Sequence, residues 1–84
     1  MATRGDLVKW VYEALAAGGG GGTIIEVARH IWTNHEAEIA RSGDLLFTWQ
    51  YDMRWAAQQL RIDGKAATEL RGGRSYWSLT GAHR

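Results

Sequence analysis

Gln50, Tyr51, Arg54, Gln58 and Arg61 fall on or beside one face of a helical wheel drawn over residues 48–61. Trp49, Met53, Ala56 and Leu60 take the other face, and Trp55 lies on the border. These residue types suit the edges of base pairs. An arginine fork matches the two acceptors of guanine, and a glutamine amide matches the acceptor–donor pair of adenine. Tyr51 offers an apolar edge to a pyrimidine methyl, and the methyl of 5-methylcytosine lies where that of thymine would. Thr48 opens the same stretch with a hydroxyl of the kind that contacts phosphate or base. The bland alternatives are a solvated helix face and a Tyr51 packed on the hairpin.

Ten residues beyond the helix comes Arg71-Gly72-Gly73-Arg74. The glycines tolerate the positive φ that a tight hairpin needs, which puts Arg71 and Arg74 at a hairpin tip. Arginines there suit phosphate or the minor groove, and their structural alternative is to solubilise a turn. A polar helix followed at once by an arginine-tipped hairpin is the working end of a winged helix-turn-helix. That arrangement sets a helix in the major groove and a wing on the neighbouring backbone.

Other chemistry finds little support. His30 and His35 are five apart, so they do not share a helix face, and the chain has no cysteine. No metal site is expected. Asp52 and Asp63 read as pairing or capping groups, not as an acid–base dyad. Residues 18–22 are five consecutive glycines, but no Gly-Lys-Ser/Thr follows. They are therefore expected to form a flexible loop and not a phosphate cradle. The chain is expected to be no enzyme, with no cofactor and no small-molecule substrate.

The 84 residues suit one domain spanning 1–84. No apolar run suffices for a membrane span or a signal peptide, so a cytoplasmic protein without a membrane partner is expected. Without disulfides the core must come from packing, and five Trp, three Tyr and one Phe supply apolar area for it. Trp55 and Trp77 are expected in that core. Net charge is only +1, yet it is unevenly spread. Residues 1–47 hold four basic and six acidic groups, a balance of −2, whereas residues 48–84, Arg84 included, hold six and three, a balance of +3. A mildly acidic scaffold with a basic C-terminal half suits a local anionic partner.

The elements that must position these side chains follow from local signals. Asp6 is expected to cap a first helix over residues 7–17, stopped by the glycines. Thr23 and Glu26 fit a capping box that starts a second helix running to about Thr33. Ile24 could instead sit in a short strand against the wing. Residues 34–42 read as a short acidic helix anchored by Ile39. Ser42-Gly43-Asp44 is a turn, after which Leu45-Leu46-Phe47 leads into the long helix, and Asp63-Gly64 ends it. Residues 65–70 and 75–80 alternate as strands. The fold class is thus α+β, with three to four helices and a C-terminal β-hairpin.

Arg54-Trp55-Ala56 with Leu60, Asp63-Gly64, and the run from Arg74 through Tyr76-Trp77-Ser78-Leu79-Thr80 to Gly81 resemble the N-terminal winged-helix domain of Mrr-type restriction endonucleases. That family joins a Trp-Ala-x-x-x-Leu helix to an Arg-Gly-x-Trp-x-Leu-Thr strand. The likeness covers about the last 35 residues well and the first half in outline. It implies binding to duplex DNA, with methylated bases as the associated target. This chain has Ser75 where the family has glycine, and no nuclease domain follows, so catalysis is not implied. The expected partner is therefore double-stranded DNA, methylated on cytosine, and a homodimer is compatible with the sequence. The alternatives are a sequence-specific DNA-binding regulator indifferent to modification, and a winged helix used for protein contact or dimerisation, with Tyr51 and Trp55 forming the patch.

Overall fold

The computed structural model describes residues 1–80; Gly81 and Arg84, which entered the motif and the charge balance above, lie outside the described residues. The chain runs α1 (Asp6–Ala17), β1 (Gly21–Thr23), α2 (Ile24–Ala40), α3 (Leu45–Ile62), β2 (Ala66–Arg71) and β3 (Arg74–Leu79). Three helices thus stand with one antiparallel three-stranded sheet of order β1-β3-β2, an α+β arrangement compatible with a winged-helix layout. Among the described residues no helix is long and apolar enough to cross a membrane.

Each helix feeds one stripe into a common core. α1 contributes Leu7, Trp10, Val11, Ala14 and Leu15, at the spacing of a single helix face. α2 adds Val27, Ile31 and Ile39, with Ala28 and Trp32 partly buried beside them. α3 adds Leu45, Trp49, Met53, Ala56, Ala57 and Leu60. Ala66 and Trp77 close the core from the sheet. Trp77 is buried as its sequence context led one to expect, but Trp55 is only half-buried on the flank of α3.

Several local expectations change. Asp6 is the first residue of α1 and does not cap it. Gly5 holds the cap position, and the Asp6 carboxylate instead accepts from the Thr3 N–H at 2.9 Å, tying down the arm before the helix. The capping box of Thr23 and Glu26 is present in both directions, at 3.2 and 2.8 Å. The strand that pairs with the hairpin does not contain Ile24, which already belongs to α2. It consists of Gly21, Gly22 and Thr23, opposite Ser78, Trp77 and Tyr76. The glycine run is thus half turn and half strand. Gly19 and Gly20 adopt φ of +79° and +104°, which let the chain reverse after α1.

The acidic segment after Thr33 is continuous with α2, apart from a break at His35 (φ −131°, ψ 15°). That break lets the His35 ring stack on Trp10 at 4.1 Å between centroids, with Nε2 3.4 Å from a Glu13 oxygen. α3 starts at Leu45, three residues before Thr48, because Leu45 is itself buried in the core. In the hairpin Arg71 pairs with Arg74 across Gly72 and Gly73, whose φ values of +57° and +81° suit a type I′ turn. The strands lie one residue from the expected limits, and Thr80 follows β3 with its hydroxyl donating to the Gly64 carbonyl.

Candidate nucleic-acid interface

α3 is 18 residues long, about 27 Å at the usual rise, and its core stripe fixes which side turns outward. The outward side carries Gln50, Tyr51, Arg54, Gln58 and Arg61, all exposed. Phe47 belongs with them. It stands one turn before Tyr51 and one turn before Gln50, and it is 84% exposed, against 72% for Tyr51. Sequence reasoning missed it by treating residues 45–47 as a lead-in. The signal was there, since Phe47 and Tyr51 are four apart and so adjacent on a helix. The helix therefore presents two neighbouring aromatics, two glutamines and two arginines to solvent.

Thr48 sits apart from this stripe. Its hydroxyl donates to Asp52 Oδ2 at 2.8 Å, and the nearly buried Asp52 also faces Arg4 Nε at 3.8 Å. The Arg4 guanidinium lies 3.9 Å from the centroid of the Trp55 ring. The N-terminal arm is thus latched to the flank of α3 by a hydroxyl, a carboxylate, a guanidinium and an indole in contact. Asp52 has the pairing role its position suggested.

The two hairpin arginines differ. Arg71 bonds Glu69 through Nε at 3.1 Å and Nη2 at 3.3 Å, and its guanidinium lies 3.8 Å over the Tyr76 ring. The hydrogen bond to Glu69 raises its pKa further above the ordinary arginine value. Arg74 has no ion-pair partner among the described residues, and neither have Arg54, Arg61 and Lys65. Arg54 and Arg74, from α3 and β3, line one groove of about 390 Å³ with Thr23, Ile24, Ile25 and Ser75. Leu70, 75% exposed beside the hairpin turn, is a further residue the sequence reading did not single out.

Among the described residues, no group of three or more His, Asp or Glu side chains converges as a metal site. A shallow, mostly apolar groove between α2 and α3 is lined by Ile25, Ala28, Arg29, Trp32, Trp49 and Gln50. The Trp32 and Trp49 rings in it stack at 5.6 Å. No family model, curated protein or solved structure matches this chain.

Proposed function

We propose that this chain is a winged helix-turn-helix domain that binds duplex DNA, with α3 in the major groove and the β2–β3 hairpin as a wing on the flanking backbone. The observation that carries the reading is the outward stripe of α3. Its residues are those that base edges and pyrimidine methyls accept, and they stand on a helix whose opposite side is locked in the core. The order of the six elements and the sheet order β1-β3-β2 support it. The polar stripe divides naturally. Gln50 and Gln58 offer amide pairs to bases, Phe47 and Tyr51 offer apolar edges, and Arg61 extends the cationic side toward the C-terminal end of α3.

The preferred duplex carries 5-methylcytosine. This finer statement rests on the likeness to Mrr-type domains and on the aromatic pair beside the glutamines. The methyl is read in place, by apolar contact, and the domain performs no catalysis. A modification-indifferent DNA-binding regulator is the nearest alternative. Protein contact is the reading from another class, and the exposed Phe47 and Ile25 are what favour it.

Titration with matched methylated and unmethylated duplexes at several salt concentrations tests all three. With some four phosphates neutralised, the slope of log K against log salt is expected at roughly −3 to −4. A flat response, or no binding at low salt, refutes the DNA reading and leaves protein contact. Equal affinity for the two duplexes removes the methylation preference and leaves the regulator.

A further inference from the structure

The geometry points to a phosphate clamp formed by Arg54 and Arg74 together, so that the arginine at the middle of α3 serves the DNA backbone and not a base. The two side chains come from different elements, α3 and β3, yet line the same groove, closed on its third side by the start of α2. Among the described residues no carboxylate lines this groove. Glu26, in the first turn of α2, accepts from the Thr23 N–H at 2.8 Å in the capping box. Neither arginine has an ion-pair partner among the described residues, in contrast to Arg4, Arg41 and Arg71, which each have one.

Two unpaired guanidinium groups facing one cavity repel each other and are stabilised together by a shared anion. A phosphate oxygen pair matches the forked geometry of each arginine. The Thr23 side chain takes the Glu26 N–H, which leaves the first two amides of α2, Ile24 and Ile25, without intrahelical acceptors at the same groove. They add to the clamp but do not define it. The groove volume of about 390 Å³ admits a phosphate group with part of its sugars.

The partner class, a phosphodiester of duplex DNA, rests on the DNA reading; the anion chemistry of the groove does not. The consequence for that reading is specific. Arg54 ties α3 and the wing to one point of the backbone and sets the register in which Gln50, Tyr51 and Gln58 meet the bases. It would then contribute affinity without sequence preference.

The test is an NMR titration of the ¹⁵N-labelled chain at low salt, following the Arg54 and Arg74 Nε–H signals and the Ile24 and Ile25 amides. One arm uses a 12-base-pair duplex of mixed sequence and the other inorganic phosphate. Both arginine signals are expected to move on one isotherm with each probe. In Arg54→Gln the Arg74 response should weaken at least ~10-fold in apparent affinity, and in Arg74→Gln the Arg54 response likewise. Both positions are exposed, and unchanged signals from the buried Trp77 and Met53 would confirm an intact fold. Independent titration of the two arginines overturns the clamp, as does a silent groove while the rest of α3 responds to the duplex. If the duplex moves no signal at all, the DNA reading fails and the phosphate arm decides alone. Mutually dependent shifts there support the anion site, and their absence overturns it.

Discussion

Replacing Gly21 with alanine tests the closest approach in the sheet. A Cβ at that position would lie 2.7 Å from Tyr76 Oη, 2.8 Å from Tyr76 Cε1 and 3.0 Å from the Trp77 carbonyl oxygen. Ordinary carbon contacts are about 3.5–4.0 Å, so the ring must retreat by roughly 1 Å. The carbonyl belongs to the paired strand and yields less. Overpacking of this kind costs about 1–3 kcal/mol, and the lost freedom of the unfolded chain returns about 0.4–1 kcal/mol. A net loss of about 1–2 kcal/mol follows. For a domain of this size, ~4–8 °C of Tm per kcal/mol gives a fall of roughly 5–15 °C. Thermal unfolding followed by circular dichroism reads it. In a Tyr76→Ser background the ring is gone and only the carbonyl contact remains, so the same change should cost less than about 1 kcal/mol, and the difference measures the coupling. A Gly21→Ala protein as stable as the parent would refute the register of β1 on β3. An equal cost in both backgrounds would refute the ring as the obstacle.

The other expectations concern the interface. Phe47→Ala should change unfolding free energy by less than about 0.5 kcal/mol, since the ring is 84% exposed, while weakening duplex binding in a fluorescence-anisotropy titration. Tyr51→Ala should abolish any preference for the methylated duplex and keep most of the affinity for the unmodified one. Burial of a methyl is worth about 0.8 kcal/mol, so the preference itself should be only a few-fold. Glu69→Gln releases Arg71 and removes a carboxylate from the hairpin, so duplex affinity should rise and the salt slope steepen by up to about one unit. Unchanged affinity and slope would show that the hairpin tip does not meet phosphate.

Where a feature depended on residues close in sequence, it was legible. The capping box at Thr23 and Glu26, the glycine stop after α1 and the two-glycine hairpin turn are each decided within four residues. The core face of α3 was legible too, because eighteen residues give the helical period room to show. Gly21 and Gly22 were not, since nothing in a glycine run marks a strand. Their conformation is imposed by Ser78 and Trp77, more than fifty residues on. Ile24 belongs to α2 because the local capping box starts the helix there, although the strand that ends at Thr23 adjoins it. Arg71 misled in another way. Sharing a strand face with Glu69, and having Tyr76 paired opposite Glu69, it had local partners that a tally of basic residues overlooks. The meeting of Arg54 with Arg74 depended on how α3 and the hairpin fold onto α2, which no local pattern encodes.

These pairings also decide what a net charge of +1 can do. If the proposed DNA reading holds, long-range steering by so small a charge is weak, and orientation depends on where the free cations stand. Arg4 is occupied with Asp52 and Trp55, Arg41 with Glu38 and Arg71 with Glu69. Exposed pairs such as Arg71–Glu69 are weakly held, so phosphate can displace the carboxylate, but the displaced charge stays beside it and offsets the gain. Among the described residues, the cations left without an ion-pair partner on α3 and just after it, and on β3, are Arg54, Arg61, Lys65 and Arg74. The acids Glu36 and Glu38 lie instead on the C-terminal part of α2. A duplex approaching the α3 side meets cations, and one approaching the α2 C-terminal side meets carboxylates. On the DNA reading those four cations set the expected salt slope, and a contact from Arg29, which also lacks an ion-pair partner among the described residues, would steepen it by about one unit.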